Sequence, residues 1–90
     1  MSQAIVDPIE LRKFARNLTR FNNELLQQSS SLNAQLAALG ETWRDQEHKK
    51  FAEQLEQQLK LIARYVEITN EHIPYLLRKA DRIEEYLQQR

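Results

Sequence analysis

The chain has 90 residues, enough for one small domain with a modest core. Its 13 basic and 13 acidic residues cancel, which leaves no electrostatic footprint for nucleic acid or an anionic membrane. The absence of cysteine excludes a disulfide framework, and no apolar run approaches the roughly 20 residues of a membrane span.

The first residues, Met1-Ser2-Gln3-Ala4-Ile5-Val6, lack a basic stretch followed by a long apolar run. A signal peptide is therefore not expected. The default location is the cytoplasm, with export by a route that needs no cleaved signal left open.

Asp7-Pro8-Ile9-Glu10 reads as a helix start. Asp7 can cap the free N–H groups, Pro8 fits the first turn, and Glu10 takes the capping-box position. Apolar residues then recur at Leu11, Phe14, Leu18, Phe21, Leu25, Leu32 and Leu39, alternating steps of three and four, with Gln28 and Gln35 in the two gaps. These are the a and d places of a heptad. Ser29-Ser30-Ser31 is poor in helix propensity, but the period runs through it.

Gly40, the single glycine, is expected to end this helix in the left-handed conformation. Thr42 is then the expected cap of the second helix, with Asp45 three residues on. The second helix carries an unbroken stripe from Ala52 and Leu55 through Val66 to Ile83 and Leu87. Pro74 falls inside it and predicts a kink, not an end. The expected organisation is one domain, 1–90, with a helix over about 8–39, a turn at about 40–42 and a helix over about 43–88. Two helices with so short a connection must run antiparallel.

Helix two has more apolar surface than one neighbour can cover. Phe51, Leu61, Tyr65, Ile68 and Tyr75 fall on the adjacent c and g positions and form a second seam. Burying each is worth roughly 1.5–3 kcal/mol, and leaving all of them in water is a solubility liability. At about 1.5 Å per residue, helix one spans on the order of 47 Å and helix two on the order of 68 Å. A fold-back at Gly40 would set Leu11 near Glu71 and leave Ile83 and Leu87 overhanging. Both features predict an all-α fold in which an antiparallel two-helix hairpin pairs into a four-helix bundle dimer. A homodimer is the simplest form, and a heterodimer with a related hairpin is the other.

Few residues resemble a chemical site. Asp45 and His48, three apart, could share a metal, but a bundle metal centre needs further inward carboxylates. A cap beside a solvated histidine is the plainer reading. His72, on the second seam near Tyr65 and Tyr75, could switch an interface with pH, but a packed or half-exposed interface histidine is the plainer reading. Arg78-Lys79-Ala80-Asp81-Arg82 is locally basic, but Asp81, Glu84 and Glu85 intersperse it, as on a solvated helix face. No nucleophile–base pair, phosphate loop or metal set is visible, so neither an enzyme nor a cofactor is expected.

Trp43, the single tryptophan, lies three residues past Gly40. It either covers the end of the bundle or anchors another protein. Two amphipathic helices joined at a tryptophan-bearing turn resemble the WXG or ESAT-like proteins, the small substrates and partner proteins of type VII secretion. Trp43 matches the family tryptophan. Phe51, eight residues later, matches an aromatic common at that offset. The resemblance implies hairpins that pair into four-helix homodimers or heterodimers. It also implies a role as a secretion-associated substrate, or as an adaptor that chaperones a larger secreted or effector protein. Trp43, Arg44 and Asp45 become the candidate recognition corner, and Phe51, Leu61, Tyr65, Ile68 and Tyr75 the candidate dimer interface.

Two departures mark a divergent Trp-x-Asp variant. Asp45 stands where the family has glycine. The family's Tyr-x-x-x-Asp/Glu export signal is not matched, because Tyr65, Tyr75 and Tyr86 are followed at that spacing by Thr69, Lys79 and Arg90. The alternative to a secretion role is a cytoplasmic structural homodimer with Trp43 as a plain end cap.

Overall fold

The computed structural model describes residues 6–89. The order of elements is α1, Pro8–Leu39, then α2, Gln46–Gln88. Asp7 begins α1: its carboxylate accepts the Ile9 N–H at 2.9 Å, and Pro8 occupies the first turn, where a missing N–H costs nothing. α2 runs unbroken through Pro74.

The turn differs from expectation in two ways. Gly40 is right-handed (φ −63°, ψ −15°), and no described residue has positive φ. Glycine leaves room there for the His48 ring instead. A Cβ on Gly40 would lie 3.0 Å from Cε1 of His48. The helix unwinds through tighter turns, with the Thr42 and Trp43 N–H groups both donating to the Leu39 carbonyl. α2 starts at Gln46, three residues later than expected, because Asp45 and not Thr42 is its cap. Asp45 Oδ1 accepts the His48 N–H at 3.1 Å, while the Thr42 hydroxyl donates back to Leu39 and so finishes α1.

The molecule is a rod of 69 × 21 × 16 Å. Its thin dimension is a single layer of helices, so only the line where α1 and α2 touch can be buried. On α2 that line is the expected stripe: Val66 and Ala80 are buried, and Leu55, Leu59, Ile62, Ile73 and Leu76 are half-buried. On α1 it is partly a different stripe. Leu11, Leu18 and Leu25 alternate with Ala15, Asn22, Ser29 and Leu36. The expected seam residues Phe14 and Phe21 lie one position aside, 56% and 50% exposed, and Leu32 and Leu39 are also largely open. The physical reason is volume. α2 fills the seam with Leu, Ile and Val, so small partners from α1 complete it, whereas phenyl rings would overpack it.

Asn22 is wholly buried in this seam. Its amide N–H groups donate to Thr69 Oγ1 at 2.9 Å and to Asn70 Oδ1 at 2.8 Å. Its own Oδ1 has no partner. At the open end, Arg12 donates to Asp81 and Glu84 at 2.7 and 2.6 Å. These contacts fix the register. Arg12 lies opposite Asp81, so Leu11 sits near Ala80 and not near Glu71. The six-residue connection from Gly40 to Asp45 takes up much of the extra length of α2. Ile83 is half-buried rather than overhanging, whereas Leu87, 48% exposed, does lie past the start of α1, so the length argument for a second hairpin shrinks to the last turn of α2.

Candidate functional site

The corner is built from the turn upward. Trp43 is half-buried, its ring edge-on to His48 (centroids 5.0 Å apart, planes at 68°) and tilted over Phe51 (6.2 Å, 34°). His48 is wedged between Trp43 and Gly40, with Nε2 buried and unpartnered. Arg44 is exposed, but its Nε donates to the Glu41 carbonyl at 2.9 Å and ties the turn to the end of α1. Asp45 is exposed and spends its carboxylate on the α2 cap. The three corner residues are thus adjacent, and each also holds the turn.

The spacing of eight between Trp43 and Phe51 is now a contact. Phe51 sits near the turn end of the c and g stripe of α2, which continues through Leu61, Tyr65, Ile68 and Tyr75. All five are exposed, Leu61 most at 63%. α1 contributes to the same side. A shallow groove lined by Leu32, Gln35, Leu36, Leu39, Phe51 and Leu55 puts Phe51 of α2 and Gln35 of α1 on one face. Phe21 and Phe14 are two and three heptads before Gln35 and extend that face toward the open end. The opposite face is more polar: its groove is lined by Ser29, Ser30, Asn33, Glu56, Leu59, Lys60 and Ala63, and by register the exposed Leu26 and Leu77 lie on that side without a ring beside them. The hairpin therefore has one broad side that carries its exposed rings and most of its exposed apolar area.

Trp43 joins the corner to this apolar side. Over residues 3–87 the sequence matches the family described as WXG100, proteins of 100 residues with WXG. The chain belongs to the WXG100 family. No curated protein and no solved structure matches it. WXG100 proteins generally form dimers and act in type VII secretion. Asp45, in the glycine place of the motif, has φ −86° and ψ 179°, extended backbone that any residue adopts. Its side chain then supplies a helix cap that glycine would lack.

The other sequence candidates fall apart in space or find ordinary partners. Asp45 and His48 are linked only through a backbone N–H, and among the described residues no three potential ligands gather for a metal. His72 is exposed on the apolar side. Asp81 of the basic run is paired to Arg12 from the other helix. No described helix is long and apolar enough to cross a membrane. The residues missed from sequence are Phe14 and Phe21 as surface rings. Their seven-residue spacing is plain in the sequence, but hydrophobicity alone places it in the seam.

Proposed function

We propose that this WXG100 protein is a non-enzymatic protein–protein interaction module, secretion-associated as substrate or adaptor, which works by laying its apolar broad side on another helical hairpin. One observation carries the reading. Phe14, Phe21, Leu61, Tyr65 and Tyr75 are about half exposed or more, and they share a side with Phe51 and Ile68. A contiguous apolar strip of this kind is an interface waiting for its other half. Family membership supplies the secretion context.

Sedimentation tests the surface. At micromolar concentration the wild-type chain is expected at the mass of two hairpins. Tyr65→Glu, in mid-stripe, should bring it to one. Ala63→Glu, on the polar side, should leave it unchanged, and both variants should keep their helical circular dichroism in the cold. A wild-type mass of one chain, or equal behaviour of the two variants, refutes the surface. For the secretion role, cells lacking the chain should export less of its partner. An unchanged exported set would favour the purely structural dimer, with Trp43 as its end cap.

A further inference from the structure

Weak points gather at one level of the rod. The seam there is polar: the buried Asn22 amide meets Thr69 and Asn70, and its Oδ1 has no partner. On α2, Pro74 has no N–H to give the Asn70 carbonyl, so one bond of the helix ladder is missing. The Thr69 hydroxyl donates back to the carbonyls of Tyr65 and Val66, at 2.9 and 3.2 Å. On α1, the Thr19 hydroxyl donates back to the Ala15 carbonyl at 2.9 Å. Such bonds compete with the ladder and ease bending. Both helices and the contact between them are thus weakened together.

The two halves of the rod are held differently. Toward the turn, Leu36 and Val66 are buried, Leu55, Leu59 and Ile62 are half-buried, and the Gly40–Asp45 connection closes the end. Toward the open end, the buried residues are Pro8, Ala15 and Ala80, and alanine brings little apolar area. Only side chains close that end. Arg12 reaches Asp81 and Glu84 there, the only ion pairs between the two helices among the described residues.

We propose that the hairpin is a clasped hinge: its open-end arms, 8–18 and 75–88, part as one unit about the level of Asn22 and Pro74, with Arg12 as the clasp, while the turn-end half and the Trp43 corner stay closed. Parting at this level frees the orphaned Asn22 Oδ1 to reach water, which offsets part of the cost of opening. Each arm is close to or below the roughly 12–15 residues at which an isolated helix becomes marginal, so a parted arm melts. Opening offers the half-buried Leu11, Leu18, Leu76 and Ile83 at one end of the rod and leaves the corner at the other end undisturbed.

Native-state hydrogen exchange of the whole chain reads the two halves separately. Amides of 11–18 and 75–88 should exchange at a shared rate, about tenfold or more faster than those of 28–39 and 50–66. Arg12→Gln should speed the arms about threefold and leave the turn-end half as it was. Pro74→Ala restores the missing N–H and should slow the arms about tenfold, again without moving the turn-end half. Both substitutions lie outside the buried seam, so helical circular dichroism near the wild-type value is expected and verifies folding. One common rate for the two halves, or variants that move both halves alike or neither, overturns the hinge. Arms that exchange independently, fastest at their tips, show fraying of single helix ends and overturn it as well.

Discussion

Trp43 occupies a place in which a side chain can both hold and offer. Its ring rests on His48 and Phe51, so part of its area stabilises the turn, and its remaining surface continues the apolar side. Truncating a fully buried aromatic costs about 3–5 kcal/mol. For a half-buried ring with two aromatic contacts, Trp43→Ala should cost about 1–3 kcal/mol, read as a lower urea midpoint at unchanged slope. The hairpin should still fold, and capture of a partner should fall further than stability does. Equal falls in both would reduce Trp43 to an end cap. The sequence made Trp43 and Asp45 legible as turn residues, because tryptophan beside a lone glycine is conspicuous and aspartate is a good cap. The reason for Gly40 was not legible. It depends on the His48 ring eight residues on, which no local propensity describes.

Among the elements, α2 was readable because it has a single consistent stripe. α1 was not, because it offers two seven-residue repeats one position apart. Phe14, Phe21, Gln28 and Gln35 form one; Ala15, Asn22, Ser29 and Leu36 form the other. Hydrophobicity selects the first for the seam, whereas packing against a bulky α2 selects the second. Asn22 is the cost of that choice, with one amide oxygen buried and unpartnered. Asn22→Leu removes the orphan and adds apolar area, so thermal stability should rise by about 1 kcal/mol. Thr69 keeps its bond to the Tyr65 carbonyl, and the exposed Asn70 amide can turn to water. Asn22→Ala, which leaves a void, should lower stability by about 1–2 kcal/mol. If both substitutions destabilise, the Thr69 and Asn70 bonds outweigh the orphan. A buried asparagine in a helical seam also fixes register, so its retention has a rationale apart from stability. Arg12 closes the other end. Its hydrogen bond to Asp81, then that to Glu84, holds the guanidinium above its ordinary value. A cationic group raised in this way contributes fully at any pH below its unfolded value, so Arg12 itself adds no pH dependence in the physiological range.

For the whole molecule, the core is too small for the surface it carries. Apart from Pro8, the buried apolar residues among those described are Ala15, Leu36, Val66 and Ala80, and two of these four are alanine. Helical hairpins of this size without disulfide or metal are marginal on their own. The second seam, read from the c and g positions of α2, anticipated this shortage. The predicted overhang is reduced to the last turn at Leu87, because the length of the connection changes the register. If the apolar side is where the missing stability comes from, folding and pairing are one equilibrium, and stability must depend on concentration. Each tenfold dilution then removes about 1.4 kcal/mol per mole of dimer. For two chains of this length that corresponds to a fall in thermal midpoint of roughly 3–5 °C. Calorimetry over a hundredfold concentration range should show this slope in the wild type and in Ala63→Glu. Tyr65→Glu should show a lower midpoint with no slope. A wild-type midpoint that does not move with dilution would mean that the seam between α1 and α2, small as it is, sustains the hairpin alone.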